Sequence, residues 1–137
     1  MRKAIPDTDL GKFLFYMNEF FTFLKKIFPE DTDFQLYHGQ FLEFKKYNAQ
    51  LVAEIFTKTL LPMEKQILEQ DEQFFLNEFK IESIQSNLPI ALGEYEEALY
   101  NKIRALWLDT LDQTAKETVW KYFAILLGFG KKTMGLM

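Results

Sequence analysis

Apolar positions along this chain recur every three to four residues, and β-branched residues nowhere alternate with polar ones over five positions. That spacing predicts amphipathic helices and no strands. The first helix runs from about Asp9 to Phe28. Leu10, Phe13, Leu14, Met17, Phe20, Phe21, Leu24, Ile27 and Phe28 share one face, and Tyr16 and Phe23 widen it. Asp7 or Thr8 can cap its start, and Pro29 ends it, because the residue before a proline resists helical angles. Phe15 lies off the stripe, beside Glu19 and Lys26, and is a candidate exposed aromatic.

The same spacing continues from Asp33 to about Lys58 through Phe34, Tyr37, Phe41, Phe44, Leu51, Ile55 and Phe56. Gly39 weakens this segment by about 1 kcal/mol relative to alanine, and a break is expected between His38 and Asn48. Pro62 opens a short element at the favoured first helical position. Another element, Asp71 to Phe79, carries Phe74, Phe75, Leu76 and Phe79, with Asp71-Glu72 at its capped start. Ser83 to Gly93 lacks a period, contains Pro89 and is expected to be the main loop. A further helix spans about Glu94 to Leu108, where Glu94, Glu96 and Glu97 would complement the positive end of the helix dipole.

The last helix spans about Asp112 to Leu127. Thr110 with Gln113 reads as a capping box, with Asp112 as a rival cap. Gly128 and Gly130 are placed beyond its end. Val119, Trp120, Tyr122, Phe123, Ile125, Leu126 and Leu127 make it apolar almost all round. Such a helix is normally buried, at the centre of the domain or in an oligomer interface; the central position is the favoured one. The expected fold is therefore all-α, a compact bundle of five to six helices around a mostly apolar C-terminal helix. Residues 1–8 form an N-terminal arm, 9–128 a single helical domain and 129–137 a short basic tail.

Composition narrows the functional classes. At 137 residues the chain is one ordinary domain, and no cysteine is present. Disulfides, thiolate metal sites and thiol nucleophiles are thereby excluded. Aromatic residues reach 17%, with Phe 15, Tyr 6 and Trp 2, which implies a bulky core, an adhesive surface or both. The net charge of −4 lacks the basic excess of a dedicated nucleic-acid binder. A local basic face would need the pairs Lys25-Lys26, Lys45-Lys46 and Lys131-Lys132 to converge, and solvated helix surfaces are the favoured account of them. The longest uninterrupted apolar run, Tyr122 to Phe129, is eight residues, against the roughly 20 a membrane span needs. No signal peptide is recognisable, so an intracellular protein without a transmembrane segment is expected.

Candidate chemistry is sparse. Glu30-Asp31-Thr32-Asp33 suggests a calcium loop, but the sixth and twelfth positions counted from Asp31 hold Leu36 and Leu42 where an EF-hand needs glycine and glutamate. His38 is the single histidine and reads as a satisfied core or surface residue. Ser83 and Ser86 have no spacing that would bring them to His38 and an acid. Gly128-Phe129-Gly130-Lys131-Lys132-Thr133 departs from phosphate-loop spacing and follows a helix. No catalytic residue, cofactor or metal site is assigned.

The assembled pattern resembles a group of small uncharacterised proteins of nucleocytoplasmic large DNA viruses. The similarity covers roughly residues 13 to 127. It rests on Phe28-Pro29-Glu30 followed by Asp33-Phe34, on Lys46-Tyr47-Asn48, and on Leu61-Pro62. It rests further on Ile67-Leu68-Glu69-Gln70-Asp71-Glu72-Gln73-Phe74-Phe75-Leu76, on Leu106-Trp107, and on Val119-Trp120-Lys121-Tyr122. Val119 and Phe123 stand where the group usually has isoleucine and leucine. The resemblance implies a large-DNA-virus setting, in infected-cell cytoplasm or virion, and supplies no site.

Two functions follow as expectations. The favoured one is a non-catalytic helical interaction protein or virion component with a viral or host protein partner, contacting it through Phe15, Lys131 and Lys132. The alternative is a nucleic-acid-associated factor in viral transcription or genome packaging, which rests on the lysine pairs.

Overall fold

The computed structural model describes residues 6–77, 90–107 and 110–136, with side chains of the second stretch described from residue 97 onward. In chain order it contains α1 (Asp9–Ile27), α2 (Thr32–Leu60), a 3-10 turn (Leu61–Met63), α3 (Glu64–Leu68), α4 (Glu72–Asn77), α5 (Ile90–Trp107) and α6 (Gln113–Thr133). No strand occurs among the described residues, so the chain is an all-α bundle.

Local chemistry sets the boundaries. Thr8, not Asp7, caps α1: its hydroxyl accepts the Gly11 N–H at 3.0 Å. The helix ends before Pro29 as expected, with Phe28 at φ −127° and ψ 64°. Asp31 caps α2 by accepting the Asp33 N–H at 2.9 Å. The break in α2 falls on Asn48, at φ −160° and ψ 88°, and Gly39 stays helical. The Asn48 side-chain oxygen accepts the Leu51 N–H at 3.0 Å, so this residue caps the second half of α2 from within. Asp71 opens α4 by accepting the Phe74 N–H at 3.1 Å, as its place in the sequence suggests.

Two expected boundaries move. The helix placed at Glu94 begins at Ile90, so Glu94, Glu96 and Glu97 lie beyond its first turn and the helix-dipole account of them does not hold. Ile90, Ala91 and Leu92 are adequate helix formers, and one interior glycine at Gly93 is a tolerable cost. The rest of the expected Ser83–Gly93 loop, and Phe79, lie outside the described residues. At the C-terminal helix, Asp112 is the cap, accepting the Ala115 N–H at 2.8 Å; the Thr110 capping box does not form the start.

That helix does not stop at Leu127. It runs through Gly128 and Gly130 to Thr133, so the stretch expected as a basic tail from residue 129 is helical for its first five positions. The stop comes at Gly135, with φ +72°. There the Gly135 N–H bonds to the Lys132 carbonyl at 3.1 Å and the Leu136 N–H to the Lys131 carbonyl at 2.8 Å, the pair of bonds that closes a Schellman motif.

Packing explains the aromatic wealth. α1, α2 and α6 pack on one another pairwise, and α6 also meets α3, which puts the apolar C-terminal helix at the centre as its all-round hydrophobicity predicted. Its Val119, Trp120, Phe123, Leu126 and Leu127 are buried against Phe13, Met17, Phe20, Phe21 and Leu24 of α1 and Val52, Ile55, Phe56 and Leu60 of α2. Phe75 of α4, Trp107 of α5 and Trp120 of α6 form a ring cluster with centroids 5.1 to 5.7 Å apart. Each well-oriented aromatic pair adds about 0.5–1.5 kcal/mol beyond its buried area. The cluster buries the Trp107 indole N–H without an acceptor among the described residues, and Lys116 lies 5.9 Å from the centroid of a Trp107 ring.

Candidate interaction surface

α1 and α6 run antiparallel, which brings the start of α1 to the end of α6. Ring contacts record the register: Phe23 meets Tyr122 at 5.9 Å, Phe20 meets Phe123 at 5.8 Å, and Tyr16 meets Phe129 at 5.6 Å. Tyr16 and Phe129 are parallel to within 4°. Phe15 stands edge-on to Tyr16 with centroids 5.2 Å apart. Lys12 and Lys132 place their ammoniums 5.7 and 5.5 Å from the Phe129 ring centroid. Helical spacing dictates the grouping: Lys12 and Tyr16 are four apart on α1, and Phe129 and Lys132 three apart on α6. Each cation–ring contact is worth about 0.5–1 kcal/mol at an exposed site.

The structure therefore gathers two of the three expected contact residues, Phe15 and Lys132, on one side of the molecule. It corrects the reading of Phe15 as an exposed aromatic: the ring is half-buried. Phe15 lines an open cleft of about 480 Å³ with Pro6, Gly11, Leu14, Asn18, Leu42 and Lys45. Lys131 is separated from the group. Its ammonium bonds to the Glu64 carboxylate at 2.7 Å and ties the end of α6 to α3. Lys12, Lys45 and Lys132 have no carboxylate partner among the described residues.

The sequence does not mark Lys12, Tyr16 or Phe129 as contact residues: Tyr16 reads as part of the core stripe and Phe129 as part of the tail. Reading the last helix through to Thr133 would have placed Phe129 and Lys132 on one face; the two glycines hid this. The lysine pairs do not merge into one basic face. Lys25-Lys26 lie in the last turn of α1, whereas Lys131-Lys132 lie in the last turn of α6, beside the opposite end of α1.

Other chemistry-bearing groups are committed to structure. His38 is buried, stacks on Phe21 at 5.3 Å, and donates from Nε2 to the Asn18 side-chain oxygen at 2.6 Å. Burial, with Lys25 and Lys45 nearby, pushes its pKa below the ordinary histidine value. Asp31 and Asp33, the acids that suggested a calcium loop, accept from Lys102 of α5 at 2.8 and 3.0 Å. Lys102 in turn holds the Asp31 carboxyl below the usual carboxylate range. No group of three potential metal ligands assembles among the described residues. No described helix is long and apolar enough to cross a membrane. On the outer side of α2, Leu36 is 58% exposed and Tyr47, beside the Asn48 break, 91% exposed.

Comparison with protein-family models, with curated proteins and with solved structures finds no match to this chain.

Proposed function

We propose that this chain is a non-catalytic helical interaction protein, a structural or adaptor component in the large-DNA-virus setting that its sequence resemblance implies. The observation that supports this reading is the strip running from Phe15 through Tyr16 to Phe129, flanked by Lys12 and Lys132. Half-buried aromatics flanked by cations that have no carboxylate partner among the described residues are what protein interfaces favour: large rings for contact area, charges for orientation. Such a strip stands out in a chain of net charge −4.

The alternative role in nucleic-acid handling has less support, because Lys25-Lys26 lie at the far end of α1 from Lys45 and Lys131-Lys132. Affinity purification of the tagged chain from its native cells, with and without nuclease, tests the choice. A stoichiometric protein partner that survives nuclease and is lost in a K12E/K132E variant is the expected result. Nucleic acid as the main companion, released by raised salt, would replace this reading with the alternative.

A further inference from the structure

We infer that the strip and its adjoining cleft recognise an acidic, apolar-centred peptide segment of a protein partner; this rests on the interaction reading above. The cleft beside Phe15 has an apolar lining in Pro6, Leu14 and Leu42. Lys45 of α2 stands at one rim. On the other side of α1, Lys12 and Lys132 are gathered about Phe129. An apolar side chain seated in the cleft would thus lie between cations that come from three different helices.

Those cations lack carboxylates of their own among the described residues. Lys131 shows the contrast, since Glu64 neutralises it within the fold. Ammoniums gathered about one ring repel each other, and a ligand carboxylate relieves that repulsion while pairing with them. Neighbouring helices pack about 8–10 Å apart, so rims that stand two helices apart are separated by roughly 16–20 Å. An extended segment of about five or six residues spans that distance. The motif expected is one or two acids, an apolar residue, and one or two further acids.

A protein segment fits better than a polynucleotide. The Phe129 ring is already engaged by Tyr16 and two ammoniums, which leaves it poorly placed to stack a base.

The test is selection of phage-displayed random 12-residue peptides on the full chain, followed by fluorescence anisotropy of the recovered sequences. Aspartate or glutamate should be enriched on both sides of a large apolar residue. Binding should fall by at least about tenfold in K12E/K132E and weaken in K45E, and K26E at the far end of α1 should leave it unchanged. Circular dichroism on each variant checks that the helices persist. Recovered peptides without acids that bind K12E/K132E as tightly as the parent would overturn the acidic chemistry and leave protein binding in place. Failure to recover any binder would also overturn it, while the purification experiment decides the wider reading separately. Tight binding of a single-stranded oligonucleotide, abolished by the same double variant, would assign the strip to phosphate instead.

Discussion

Gly130 of α6 lies so close to Thr57 of α2 that a Cβ on the glycine would overlap the threonine hydroxyl. Thr57 is buried and donates to the Ala53 carbonyl at 2.6 Å, so its side chain is held in place. The two helices cross at this point because one of them carries no side chain there. Gly130→Ala should destabilise the fold by about 1–3 kcal/mol through overpacking. Combining it with Thr57→Ala should cost less than the sum of the two, a coupling that urea unfolding of the double-mutant cycle would measure. Additive costs would show that the crossing is not the cause.

Gly128, two residues earlier on the same helix, is the control. A Cβ there meets nothing within 4 Å. Gly128→Ala should therefore stabilise by up to about 1 kcal/mol, the helix-propensity gain alone. A thermal melt that moves down for Gly130→Ala and up for Gly128→Ala would separate packing from propensity within one turn.

At Asn48 an exposed residue should matter more than its exposure suggests. It is non-helical, and its side chain caps the N–H of Leu51. Asn48→Ala should cost about 0.5–2 kcal/mol, and Asn48→Asp or Asn48→Ser should retain most of the stability. Neighbouring Tyr47, at 91% exposure, should tolerate alanine with almost no change in unfolding midpoint.

These glycines and the asparagine show where the sequence was legible and where it was not. The helix faces of α1 and α6 could be read because burial follows their 3.6-residue period, from Phe13 to Leu24 and from Val119 to Leu127. The end of α6 could not be read, because glycine favours both helix termination and close helix crossing, and only the tertiary position of Thr57 distinguishes the two at Gly130. Phe15 lies off the fully buried stripe of α1, as the helical period predicts. Its partial burial depends on contacts outside its own helix, with Leu42 and Lys45 lining the same cleft, and single-helix periodicity carries no such information. The pairing of Phe129 with Lys132 is hidden in the sequence for the same reason, since it depends on α6 continuing past Gly130.

Lys102 should couple α5 to the turn before α2. Asp31 and Asp33 both accept from it, and the two hydrogen bonds raise its own pKa above the ordinary lysine value. Lys102→Ala should destabilise by about 1 kcal/mol, since partly exposed pairs contribute modestly. The Asp31 carboxyl titrates lower when folded than when unfolded, so its share of stability is present above the ordinary carboxylate range and is lost as pH falls through the folded value. In Lys102→Ala that acid-side loss should shrink, which chemical denaturation at pH 5 and pH 3 would report.

His38 should make stability fall on mild acidification. The ring is 9% exposed, stacked on Phe21 and hydrogen-bonded to Asn18 across the α1–α2 contact. Burial and the neighbouring Lys25 and Lys45 disfavour the imidazolium, so the folded pKa lies below the unfolded value of about 6.5. Between the two values the unfolded chain binds more protons than the folded one. The stabilising contribution of neutral His38 is therefore complete above about pH 7 and declines as pH drops below the unfolded value towards the folded one. Denaturant midpoints measured from pH 7.5 to 5 should decrease, and the slope should flatten in His38→Gln, which keeps a polar group facing Asn18 but cannot titrate. An NMR titration of the His38 ring protons supplies the independent check: a midpoint at or above the free-imidazole value would remove burial as the cause and leave the acid sensitivity to other groups.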